Sequence, residues 1–102
     1  MRRSPLSTLR ALRRGGMAGD GERFVYVLRS AGDGSRSYVG VTADVSARLS
    51  AHNAGRCAQT ARNRPWQLHV VIAFADVAAA VRFERFLKSA SGREFARAHF
   101  GV

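Results

Sequence analysis

Tyr38-Val39-Gly40-Val41-Thr42-Ala43-Asp44-Val45-Ser46-Ala47-Arg48-Leu49-Ser50-Ala51-His52-Asn53-Ala54-Gly55 decides how this chain is read. It opens on a short β-prone run, Ser37 to Val41, and continues into a helical one. Asp44 suits an N-cap and Gly55 a terminator, so a helix from about Val45 to Ala54 is predicted. Val45, Leu49 and His52 fall on one turn-spaced stripe of that helix, with Arg48 beside them. Such a stripe is unusual, because an unpaired buried charge is costly. Either these side chains reach a partner, a cleft or a ligand, or Arg48 snorkels to the surface and His52 caps the helix end.

Upstream, Arg23 to Arg29 alternates weakly and is apolar on both sides. Phe24, Tyr26 and Leu28 stand opposite Val25 and Val27, a pattern that suits a central strand. The turn-forming run from Ser30 to Arg36 joins it to the Ser37–Val41 strand as an antiparallel hairpin. Tyr26 and Tyr38 then stand on adjacent strands, where they could point to the same face. Gly40 removes a side chain and lets a backbone or ligand approach closely. Downstream, a loop from Arg56 to Trp66 carries Arg62, Arg64 and Pro65. Leu68 to Ala75 reads as a third strand, its Val70–Ala75 run suited to burial. Asp76 caps a helix from Val77 to about Lys88. Ser91 with Glu94 forms a capping box for a last helix near Gly92 to Phe100. The order β-β-α-β-α-α predicts an α+β domain, a small three-stranded antiparallel sheet flanked by helices, over residues 23–102.

The second helix breaks its own pattern. Val77, Ala80, Val81, Glu84 and Leu87 share a face, and Glu84 sits at its centre. A Glu84–Lys88 pair at helical spacing contributes only ~0.3–0.5 kcal/mol when exposed. A carboxylate centred on an apolar stripe is better explained by a metal ion or a buried partner. Phe83 and Phe86 read as packing, and His69 and His99 as structural or surface residues.

Composition narrows the partners. Seventeen Lys+Arg against seven Asp+Glu give a net charge of +10, and Lys88 is the one lysine. Arginine matches phosphate oxygens in pairs, so a polyanion is favoured, although an arginine-rich coding bias would give the same excess. Cys57 is alone, which excludes an intrachain disulfide and a cysteine-based zinc site and suits a reducing cytoplasm. No run is long enough to cross a membrane as a helix. Residues 1–22 differ from the rest, with five arginines before Gly15, Gly16, Gly19 and Gly21. They read as a disordered basic arm or as a mis-assigned start with Met17 the initiator, in preference to a targeting sequence. Without those five arginines the charge is still +5.

These pieces in order resemble the GIY-YIG nuclease family, in its small single-domain branch. Val25-Tyr26-Val27 and Tyr38-Val39-Gly40 match the two tyrosine motifs, Arg48 the helix arginine, His52-Asn53 a frequent His-Asn pair, and Glu84 the metal-binding glutamate. Arg62-Asn63-Arg64-Pro65-Trp66 and Phe83-Glu84-Arg85-Phe86-Leu87-Lys88 resemble that branch too. The resemblance implies a DNA endonuclease of repair or recombination that uses one divalent ion, Mg²⁺ or Mn²⁺, held by Glu84. It implies that Arg48 stabilises charge on the scissile phosphate, that Tyr26 is the general base with Tyr38 orienting water or phosphate, and that His52 supports Tyr26 or a phosphate. Gly40, Arg48, Asn53, Arg62, Arg64 and Lys88 become candidate nucleic-acid contacts. Val41 and Thr42 stand where family members often carry a basic residue. With no appended recognition domain expected, DNA shape or ends is the expected basis of selection, with an accessory protein or a purely binding role as alternatives.

Overall fold

The computed structural model describes residues 21–102 apart from 33 and 35. The basic segment at residues 1–20 lies outside the described residues. Strands β1 (Arg23–Ser30), β2 (Ser37–Thr42) and β3 (Trp66–Phe74) form one antiparallel sheet in the order β2-β1-β3. Helices α1 (Val45–Asn53), α2 (Val77–Leu87) and α3 (Ala90–Phe100) complete the expected order. β1 is central, as its two apolar faces predict. Phe24, Tyr26 and Leu28 pack with Val45 of α1 and Trp66 on one side. Val25 and Val27 pack with Ala80, Leu87 and Ala96 of α2 and α3 on the other. Val25, Tyr26, Val27 and Leu28 are all at most 1% exposed. Each such side chain contributes about 1.5–3 kcal/mol of burial.

Register positions the site. Tyr26 faces Gly40 and Leu28 faces Tyr38 across the β1–β2 ladder. Directly opposed residues project to the same side of a sheet, so both tyrosines and Gly40 lie on the α1 face. α1 starts and stops where the sequence predicts. Asp44 accepts from the Ala47 amide, and Gly55, at φ 77°, donates to the His52 carbonyl just past the helix.

Three expectations need correction. β3 begins at Trp66, not Leu68, because the Asn53 side chain holds the Trp66 backbone through its N–H at 2.6 Å and its carbonyl at 3.0 Å. β3 is also a half-buried edge strand rather than a buried one, since only β1 flanks it. The last helix starts at Ala90, and its cap is Ser89, whose Oγ accepts from Gly92 N at 3.1 Å. Ser91 and Glu94 form no capping box; Glu94 pairs instead with Arg97 at 2.8 Å. The reason is the short turn between α2 and α3, which lets Ser89 serve α3 while its own N–H bonds the Phe86 carbonyl at 2.9 Å. Gly92 is buried against the Phe86–Leu87 backbone, where a Cβ would meet the Phe86 carbonyl oxygen.

No helix among the described residues is long and apolar enough to cross a membrane.

Candidate active site

Four of the five candidate catalytic side chains meet on the α1 face of the sheet. β1 supplies Tyr26, β2 supplies Tyr38, and α1 supplies Arg48 and His52. The ring centres of Tyr26 and Tyr38 lie 6.3 Å apart, and those of Tyr38 and His52 lie 4.8 Å apart. Tyr26 Oη is 3.0 Å from His52 Nε2, and His52 Nδ1 is 2.7 Å from Thr60 Oγ1. His52 is therefore no helix-end cap; its ring is fully buried, and both its nitrogens are bonded. Arg48 is exposed, and its guanidinium stands near enough to Tyr26 for each to shift the other's titration.

One donor order satisfies this whole chain. The Thr60 hydroxyl donates to a carbonyl, so its oxygen accepts from His52 Nδ1–H, and Nε2 is left to accept from the Tyr26 hydroxyl. His52 is then the Nδ1–H tautomer and donates to Thr60 Oγ1, whose hydroxyl donates to the Cys57 carbonyl at 3.4 Å. Trp66 Nε1 bonds the Thr60 carbonyl at 2.8 Å and fixes the loop that carries it. The electrostatics agree with this order. Burial lowers the His52 pKa, with the Arg48 charge acting in the same direction, so the ring is neutral. Burial raises the Tyr26 pKa, and the nearby Arg48 guanidinium pulls it partly back. Tyr26 in turn pushes the Arg48 pKa up.

Gly40 makes the arrangement possible. A Cβ there would collide with Oη and Cζ of Tyr26 and lie 2.8 Å from its Cε1. The phenol tip therefore occupies the space a side chain would take.

Glu84 stands on α2, in the opposite layer. Its side chain is 14% exposed and pairs with Lys88 at 2.6 Å. The ammonium of Lys88 lies 5.7 Å from the centre of the Tyr38 ring, which links Glu84 to the tyrosines around the free edge of β2. The helical pair weighed from the sequence thus forms, with its carboxylate largely shielded. The donor set fits a small hard cation. Mg²⁺ takes one or two carboxylates from a protein and completes its shell with water and substrate phosphate. Among the described residues no group of three or more His, Cys, Asp or Glu could hold an ion by itself.

The remaining candidates divide. Both ends of the Asn53 amide bond the Trp66 backbone, so its work here is structural. Arg62 and Arg64 are both exposed, and Arg64 donates to the Ala61 carbonyl at 2.7 Å and lies over Gly55. His69 bonds the Phe100 carbonyl and His99 packs on Phe95, as structural residues would. Thr60 escaped the sequence reading. It stands in an aperiodic loop, and nothing local distinguishes it from the neighbouring polar residues.

This fold and residue cluster define a class. The GIY-YIG catalytic domain model matches residues 22–97, and the chain belongs to the GIY-YIG family. Among curated proteins it is similar to the structure-specific endonuclease subunit SLX1 of Podospora anserina, 41% identical over 66 residues. That match covers 59% of this chain and 19% of the fungal protein, so the chain spans only a small part of that relative. Among solved structures it is similar to the solution structure of the UPF0213 protein BH0048 from Bacillus halodurans, with 33% identity and a TM-score of 0.46. That match covers 78% of this chain and 87% of the other.

Proposed function

We propose that this domain hydrolyses phosphodiester bonds in DNA with one divalent ion, Mg²⁺ or Mn²⁺, and selects DNA structure rather than sequence, in repair or recombination. The observation that carries the proposal is the buried Tyr26–His52–Thr60 hydrogen-bond chain with Tyr38 against it, joined to a shielded Glu84 through Lys88. Glu84 would hold the ion, which supplies Lewis acidity at the phosphate and stabilises the leaving oxygen. Arg48, exposed near Tyr26, presents its N–H groups to the scissile phosphate. Tyr26 takes a proton from the attacking water and passes its own to His52 Nε2, so no free phenolate has to stand in a buried site that raises its pKa. Thr60 holds Nδ1 and thereby sets the tautomer that leaves Nε2 open to receive. Tyr38 packs against the His52 ring and orients water or phosphate. Arg62, Arg64 and Lys88 add phosphate contacts, and Gly40 lets the strand backbone approach.

The 1% exposure of Tyr26 favours a second assignment, in which Tyr26 only locks Arg48 and Tyr38 meets the water. Phenylalanine at each position separates them. The first assignment requires the larger rate loss from Tyr26→Phe, the second from Tyr38→Phe. The relative's description as a subunit supports a partner-dependent form of the activity. The primary test compares wild type with Glu84→Ala on labelled linear and branched DNA, with and without Mg²⁺ or Mn²⁺. Metal-dependent cutting that the variant loses, with DNA binding intact, is expected. Absence of cutting by wild type, alone and with cell-extract fractions, refutes the nuclease assignment.

A further inference from the structure

Beside the free edge of β2, against α3, lies a groove of about 370 Å³. That is at the small end of ligand-binding pockets. Its floor is apolar, made by Val39, Leu87 and Ala96, and its rim carries Lys88, Arg93 and Arg97. Arg93 is exposed and has no ion-pair partner among the described residues. Arg97 pairs with Glu94, but both are largely solvated, and such a pair contributes little and yields readily. Tyr38 and Lys88 both line it, and the Lys88 ammonium lies 5.7 Å from the centre of the Tyr38 ring, so the groove borders the candidate active site at that tyrosine.

We propose that this groove holds one unpaired nucleotide of the DNA strand next to the scissile phosphate. The inference rests on the nuclease assignment and deepens it by naming the substrate feature that the domain reads. An apolar floor suits the flat face of a base, and three rim cations suit its flanking phosphates. A paired base in a duplex cannot present that face, so the groove selects a junction or single-stranded arm. A second copy of the chain is a poor occupant, because two chains of net charge +10 repel. A cation held by Glu84 would compete with Lys88 for the carboxylate and leave the ammonium to the groove.

The test measures binding, without metal, of a fluorescein-labelled oligothymidylate and a blunt duplex to wild type and to Arg93→Ala/Arg97→Ala. The double variant is expected to lose about tenfold in oligothymidylate affinity, with the duplex affected far less. Its salt dependence on single strands should flatten by about 1.4 in log–log slope, the share of two phosphate contacts. Arg82→Ala/Arg85→Ala, with the same net charge and arginines outside the groove, should keep the preference. Equal losses on both DNAs, or equal losses from both double variants, overturn the proposal. So does a polyglutamate peptide that binds as tightly as the oligothymidylate and is lost with it, which would make the occupant an acidic protein. The readout needs no cleavage, so failure here is separable from failure of the Glu84 experiment.

Discussion

Gly40→Ala puts one methyl group where the Tyr26 phenol now lies. The new Cβ would stand 2.8 Å from Tyr26 Cε1 and closer to Cζ and Oη. Carbon atoms in contact rest at about 3.5–4.0 Å, so the ring must retreat by roughly 0.7 Å or more. It has little room, being 1% exposed between Phe24, Leu28 and α1. Its Oη sits 3.0 Å from His52 Nε2, and a retreat of that size breaks or bends the bond. Overpacking of this kind costs about 2 kcal/mol, within a range of roughly 1–3. For a domain of this size that lowers the melting temperature by roughly 8–16 °C. A displacement near 1 Å in a catalytic array costs on the order of 10²-fold in rate. Circular-dichroism melts and single-turnover cleavage at a temperature where the variant is folded read the two effects separately. A Gly40→Ala protein that melts within about 2 °C of wild type and cuts as fast refutes the close-contact argument.

Thr60→Val keeps the shape but leaves the His52 Nδ1–H without an acceptor, at about 1–3 kcal/mol in urea unfolding. It should also slow cleavage, while Thr60→Ser should restore both. His52 has a folded pKa below its ordinary value, so the native state binds fewer protons than the unfolded chain. Its contribution to stability is therefore complete above about pH 6.5 and declines as pH falls below it. Melting temperatures from pH 7.5 to 5.5 should fall for wild type, and His52→Gln should remove that component of the slope. Lys88→Met takes away the ammonium at Glu84, so Mn²⁺ should bind the free protein more tightly by calorimetry; weaker binding would exclude Glu84 as the ligand. Gly92→Ala drives a Cβ into the Phe86 carbonyl, main chain that cannot turn aside, and should destabilise by more than an ordinary core overpacking, about 3 kcal/mol or beyond.

The sheet was legible because β1 is apolar on both faces and because Asp44, Gly55 and Asp76 are strong local signals. Those signals act within a few residues of chain, which is why α1 and the start of α2 fall where expected. The start of β3 was not legible, since it depends on Asn53, thirteen positions away, bonding the Trp66 backbone. The Ser91–Glu94 pattern misled because a better-placed hydroxyl, Ser89, lay two residues earlier and the α2–α3 turn brought it into position. At the site, strand pairing put Tyr26 beside Tyr38 and helix spacing put Arg48 beside His52, while the meeting of the two pairs was implied only by the family resemblance. That His52 is buried whole was left open, and Thr60 was invisible, since a hydroxyl held by tertiary contact carries no periodicity. The shielding of Glu84 was foreshadowed by its place on an apolar stripe, its ammonium partner by helical spacing.

β1 belongs to both apolar layers at once, with Phe24, Tyr26 and Leu28 in one and Val25 and Val27 in the other. Neither layer can therefore come apart without disturbing the strand that the other also holds. The amides of β1 should exchange with deuterium only when the whole molecule opens, while those of α1 and of β2 exchange through smaller fluctuations. Tyr26 rides on the slowest-exchanging strand and Arg48 on a more labile helix. The join between rigid and pliant parts of the domain thus falls beside the site, where Tyr26 meets His52 of that same helix.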